Sequence, residues 1–146
     1  MIVADTNIVS ELMRDDPDPA VVTWASGIDA ASLTITVVTV TEIEYGLARM
    51  PEGRRSRDLT SRWRQVLDSY SDRLITYDVD AARAAAEVLA ERERSGRPIS
   101  LPDAQIAGIC RSQGCGLATR NTKDFADVGL ELYDPFGQAA QPRSLD

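Results

Sequence analysis

The chain has 146 residues, 43% of them hydrophobic, with 23 acidic side chains against 16 basic ones and a net charge of −7. Length and composition suit one globular domain with a sizeable core, and the negative charge argues against a passive nucleic-acid binder. Histidine is absent, which excludes Ser-His-Asp and Cys-His catalysis and any histidine acid–base pair; a hydrolase built on this chain must use carboxylates, a metal ion, or both.

Residues 1–4 (MIVA) read as a short buried strand. The opening segment has an acid at position 5 and no basic stretch before an apolar run, so it does not read as a signal peptide. No apolar run approaches the ~20 residues a membrane span needs, and the expected location is the cytoplasm. Asp5, Thr6 and Asn7 are cap-type residues for a helix through Ile8, Val9 and Leu12. A break at 15–19 (DDPDP) leads to a second helix with Pro19 in its first turn. Residues 32–37 (SLTITV) are rich in β-branched side chains and predict a strand. Thr39 to Glu42 then reads as the capping box of a helix carrying Val40, Ile43, Leu47 and Met50 at helical spacing.

The following helix sets Leu59, Trp63, Val66, Leu67 and Tyr70 on one side and most of an arginine cluster (Arg54, Arg55, Arg57, Arg62, Arg64) elsewhere. Lys123 is the one lysine, and arginine suits planar, bidentate phosphate contact. Residues 73–77 (RLITY) predict a third strand, and Asp78 or Asp80 caps an Ala-rich helix running to about Ser95. Ser100 and Pro102 open a further helix that Gly114 ends. Residues 116–119 (GLAT) and 130–133 (LELY) predict the last strands, with a loop or short helix between them, and residues 138–146 read as a flexible C-terminal tail. Cys110 and Cys115 read as reduced structural thiols, since no second pair or histidine completes a zinc site. The alternation of strands and helices predicts an α/β domain over 1–137, with a mostly parallel sheet covered by helices on both faces.

Four acids punctuate this order. Asp5 follows the first strand; Glu42 and Asp103 sit in first turns of helices; Asp124, with Asn121 beside it, follows the GLAT strand. Each is separately explicable as a cap or a dipole-favoured residue. Together, on a parallel sheet, they gather at the carboxyl edge where such sheets bind ligands. Acids held that close need a cation, and an oxygen-only donor set suits Mg²⁺ or Mn²⁺. Tyr45, Gly46 and Arg49 share a helix face with Glu42. Glycine inside a helix costs roughly 1 kcal/mol relative to alanine, so a backbone or a substrate is expected to approach closely at Gly46.

In these motifs, VADTNIVSEL, TVTEIEYGLAR, LPDAQIAG and ATRNTKDF, the chain resembles the PIN-domain family, in particular the VapC-type (FitB-like) toxins, and the likeness covers nearly its whole length. The resemblance implies a PIN-like three-layer fold and a Mg²⁺- or Mn²⁺-dependent endoribonuclease, homodimeric and inhibited by a cognate VapB-like antitoxin that inserts a basic side chain among the acids. It implies Asp5, Glu42, Asp103 and Asp124 as catalytic residues, with Asp5 and Asp103 as the metal ligands and Thr6, Asn7 and Asn121 in support. Either Asn121 or Asp124 fills the fourth acidic position, with Asp124 as the charge the favoured arrangement. Arg14, Arg49, Arg54, Arg55 and Arg57 are the expected RNA-backbone contacts. The competing readings are an inactive PIN-fold binding module and a DNA-directed metal-dependent nuclease.

Overall fold

The computed structural model describes residues 1–136; the expected tail at 138–146 lies outside the described residues. Four strands form one all-parallel sheet: β1 (Ile2–Ala4), β2 (Leu33–Thr34), β3 (Gly116–Ala118) and β4 (Leu132–Tyr133), in the order β2-β1-β3-β4. Six helices accompany it: α1 (Thr6–Leu12), α2 (Pro19–Ser26), α3 (Val37–Ala48), α4 (Arg54–Tyr70), α5 (Val79–Arg94) and α6 (Leu101–Gln113). No helix among the described residues is long and apolar enough to cross a membrane.

The sheet is covered on both faces, and alternate side chains serve opposite cores. Val3 and Leu117 pack with α5 and α6 residues such as Val88, Ile106 and Ile109. Ala4, Leu33, Ile35 and Ala118 pack with Ile8, Val21, Ile43 and Trp63 from α1 to α4. The result is helices, sheet, helices, the expected three-layer α/β arrangement. α5 and α6 are the most closely packed pair of helices, because Gly108 lets α6 lie directly on the α5 backbone at Ala81 and Ala85.

Two sequence expectations change. The strand predicted at 73–77 shrinks to one bridge, Ile75 against Thr36, at the sheet edge beyond β2. There the Arg73 carbonyl accepts from the Thr34 hydroxyl at 2.7 Å, a side-chain bond in place of a continued ladder. The expected capping box at Thr39 and Glu42 is also absent. β2 stops at Thr34, α3 starts earlier, and its cap is Thr36, whose hydroxyl accepts the Thr39 N–H at 3.4 Å. Glu42 therefore stands in the second turn of α3, and capping does not account for it.

Candidate active site

The parallel register brings the ends of β1 and β3 together, with the Asp5 N–H donating to the Ala118 carbonyl at 2.8 Å. The two residues just past these strands, Asp5 and Thr119, are consequently neighbours. Asp5 caps α1 and is only 4% exposed. One carboxylate oxygen accepts the Thr6 N–H at 2.8 Å. The other accepts the Thr119 hydroxyl at 2.8 Å and the Asn7 amide at 3.1 Å. A carboxylate offers about four acceptor positions, so these three bonds fix the group and leave room for one more. Burial nevertheless lifts the Asp5 pKa above the ordinary aspartate value, and the charge of Glu42 adds to the rise, against the lowering pull of the hydrogen bonds.

Glu42 projects from α3, where its Oε1 accepts the Thr6 hydroxyl at 2.8 Å. Thr6 Oγ1 also lies 3.0 Å from the buried Thr39 hydroxyl. With the single Thr6 proton committed to Glu42, Thr39 is the donor to Thr6, and a chain Thr39–Thr6–Glu42 results. Asn7 extends the network on its other side, its Oδ1 accepting the Arg120 N–H at 3.2 Å.

Asp103 occupies the first turn of α6, where Ser100 is the cap and accepts the Asp103 N–H at 3.3 Å. It is half-buried, and its pKa is also raised: burial contributes most, and the charges of Asp5 and Asp124 add to it. Asp5, Glu42 and Asp103 all line one groove of about 650 Å³. Among the described residues no three His, Cys, Asp or Glu side chains stand close enough to ligate one ion together. The donor chemistry thus fits a hard cation that keeps most of its waters and takes one or two carboxylates, rather than a closed protein cage.

The fourth position divides. Asn121 lines the groove, and its N–H donates to the Thr119 hydroxyl at 3.1 Å. Asp124 is exposed on a 3-10 turn at Thr122–Phe125, outside the groove lining, yet its charge reaches Asp103. The arginines divide similarly. Arg14 and Arg55 line the acid groove, while Arg54 lines a neighbouring groove of about 460 Å³ and pairs with Asp58 at 4.0 Å. Arg49 lies over the Tyr45 ring at 4.9 Å, and Arg57 is exposed on α4 away from both grooves. Arg62 is structural, tying α4 to the Met13 carbonyl at 2.7 Å and to Asp15.

Sequence reasoning missed several participants. Thr119 was visible only as the end of a strand, and its role follows from the neighbouring end of β1. Arg120 lines the groove and stacks on Phe136 at 4.7 Å. Arg92 is 5% exposed within α5 and donates to the carbonyls of Arg97 at 2.6 Å, Asp124 at 2.9 Å and Ala126 at 3.1 Å. No local pattern marks it. Cys110 and Cys115 are both free and buried, and burial pushes the Cys110 thiol far above its ordinary pKa.

Comparison with known proteins adds four findings. The family model described as PIN domain matches residues 2–130. The VapC ribonuclease Y4jK of Sinorhizobium fredii is 36% identical over 95% of this chain and 100% of its own length. The tRNA(fMet)-specific endonuclease VapC of Shigella flexneri is 34% identical over 86% of this chain and 89% of its own. In three dimensions the chain superposes on the crystal structure of FitAcB from Neisseria gonorrhoeae with a TM-score of 0.87 and 27% identity, covering 94% of this chain and all of the other.

Proposed function

This chain belongs to the PIN-domain family, in its VapC-type branch, and we propose that it is a metal-dependent endoribonuclease toxin restrained by a cognate VapB-like antitoxin. The observation that carries this reading is the convergence of Asp5, Glu42 and Asp103 on one groove, with Asp5 and Glu42 each held by hydrogen bonds. The relatives named VapC ribonuclease and tRNA(fMet)-specific endonuclease support RNA as the substrate class.

Asp5 and Asp103 would hold Mg²⁺ or Mn²⁺. When bound, that ion supplies Lewis-acid stabilisation of the phosphate and lowers the pKa of a water. The protein's own contribution is orientation. Thr119, Asn7 and the Thr6 N–H hold the Asp5 carboxylate in one position. Thr39 and Thr6 hold Glu42, which positions or deprotonates the attacking water, with Asp124 as the second carboxylate able to do so. Water attacks phosphorus in line, the bond to the 3′ oxygen breaks, and the products carry 5′-phosphate and 3′-hydroxyl ends. Arg14 and Arg55 at the groove, with Arg49, Arg54 and Arg57 further out, contact the RNA backbone, so binding weakens steeply as salt rises.

A surplus of acids at the groove suits inhibition by a basic side chain of the antitoxin, and a homodimer in the cytoplasm is the working form proposed. The test is cleavage of total RNA and of DNA of matched sequence by the purified chain with Mg²⁺, with Mn²⁺ and with EDTA, alongside Asp5→Ala and Asp103→Ala. Metal-dependent RNA products with 5′-phosphate ends, lost in both folded variants, are expected. Cleavage that survives both substitutions, a 2′,3′-cyclic phosphate product, or a preference for DNA would overturn the reading.

A further inference from the structure

Gly46 stands in the middle of α3, where glycine is the least favourable residue short of proline. Two reasons internal to a protein usually account for a helical glycine: a left-handed φ, or a backbone packed too close for a Cβ. Neither applies. Among the described residues, the glycines with positive φ are Gly96, Gly114 and Gly129, and a Cβ built on Gly46 meets nothing within 4 Å. Gly108, also helical, is the opposite case: its Cβ would fall 2.4 Å from the Ala81 carbonyl. No described residue of the chain therefore requires a bare backbone at Gly46.

The surroundings identify the chemistry of what does. Gly46 lines the acid groove one helical turn from Glu42, with Arg55 also on the lining. Tyr45 beside it is 62% exposed, and the Arg49 guanidinium lies over its ring at 4.9 Å. Residues 42, 45, 46 and 49 share one face of α3. An exposed aromatic face joined to a guanidinium is what single-stranded nucleic acid uses, a base stacking on the ring and a phosphate meeting the fork. The groove lining also includes the apolar Ile43, Leu47 and Leu59, but the side chains that share the exposed face with Gly46 are Tyr45 and Arg49, and that pair favours nucleic acid over a protein segment.

We propose that Gly46 is a clearance residue for the substrate: single-stranded RNA crosses α3 over its bare backbone, with a base on Tyr45 and a phosphate on Arg49, on the way to the acids. This rests on the ribonuclease reading above and adds a nucleotide subsite to it.

The experiment measures melting temperature, and the affinity for fluorescent random-sequence single-stranded RNA oligonucleotides in EDTA, for wild type, Gly46→Ala, Gly46→Gln and Tyr45→Ala. Gly46→Ala is expected to melt about 2–4 °C higher while binding RNA more weakly. Gly46→Gln and Tyr45→Ala should each weaken binding roughly tenfold, the loss of one stacked base. A variant that binds less because it folds less well would melt lower, so a higher melting temperature with weaker binding excludes that cause. RNA affinity unmoved in all three variants overturns the proposal. Loss of binding to a basic peptide with RNA affinity intact also overturns it, assigning the clearance to a protein partner. A wild type that neither binds nor cleaves RNA sinks the ribonuclease reading and this proposal together, whereas an active wild type with indifferent variants sinks only this one.

Discussion

Replacing Gly108 by alanine puts one methyl group where α6 crosses α5. The new Cβ would lie 2.4 Å from the Ala81 carbonyl oxygen, 2.7 Å from the Ala85 nitrogen and 2.9 Å from the Ala85 Cβ. Comfortable separations between such atoms are about 3.5 Å, so the helices must part by roughly 1 Å. None of the three neighbours can rotate away, because two are backbone atoms and the third is a Cβ. Overpacking costs about 1–3 kcal/mol, and this site belongs at the upper end. Alanine recovers about 1 kcal/mol of helix propensity, leaving a net loss near 2 kcal/mol and a melting temperature about 4–8 °C lower. The effect should reach the site as well, since Asp103 rides on the same helix some 7–8 Å from Gly108. Thermal melts followed by circular dichroism, with and without millimolar Mg²⁺, measure both: the variant should melt lower and gain less from the metal. A Gly108→Ala protein that melts at or above wild type would refute the packing argument, because propensity alone would then govern the position.

Two further predictions concern the acids and their support. Asp103 has a raised pKa in the folded chain, so the stability tied to its proton is present below the unfolded value of about 3.9 and is lost as pH rises through the folded one. Asp103→Asn should therefore be more stable than wild type at pH 7 without metal, with the gap closing as pH falls toward 4. It should also lose Mg²⁺-induced stabilisation. The helix dipole opposes this by about 0.5 kcal/mol, so the pH slope of the difference is the decisive reading, and a gap that widens on acidification contradicts it. Arg92→Met strips the donors from three carbonyls, those of Arg97, Asp124 and Ala126. At about 1 kcal/mol each, the loss is on the order of 3 kcal/mol. Limited proteolysis should then cut faster within 120–127, and unchanged melting and cutting would show that the turn holds itself.

The architecture was legible because its signals are local and repeated. MIVA and GLAT are apolar runs followed at once by polar residues, SLTITV is rich in β-branched residues, and a parallel sheet puts the ends of such runs on one edge. That reasoning brought Asp5, Glu42 and Asp103 to a common place without any contact being known. It failed where several residues of one type compete. Thr34, Thr36, Thr39 and Thr41 lie in one stretch, and any of them can cap a helix. Which one does depends on where β2 stops pairing, a tertiary fact. Cap assignment then decided the meaning of Glu42: as part of a capping box it is accounted for, and in the second turn of α3 it is an acid in want of another reason. Arg92 was beyond reach altogether, because its three carbonyl partners are 5, 32 and 34 residues away.

The two helical glycines bring out why local rules are worth following to the point where they break. Gly46 and Gly108 carry the same intrinsic penalty in sequence, and nothing in their flanking residues separates them. One is required by the fold, since α5 fills the space a side chain would take. The other faces open groove, and the fold would be better off with alanine there. The same groove holds Asp5 and Asp103, both at raised pKa, so that ionising either one costs folding stability. Three departures from what stability alone favours thus fall on one surface, where the hydrogen bonds of the fold offset the burial of the acids only in part. Departures from local consistency concentrate where something other than folding sets the residue. A substrate with negative charge, a metal ion to meet the acids, and a strand needing a clear path over α3 would account for all three at once.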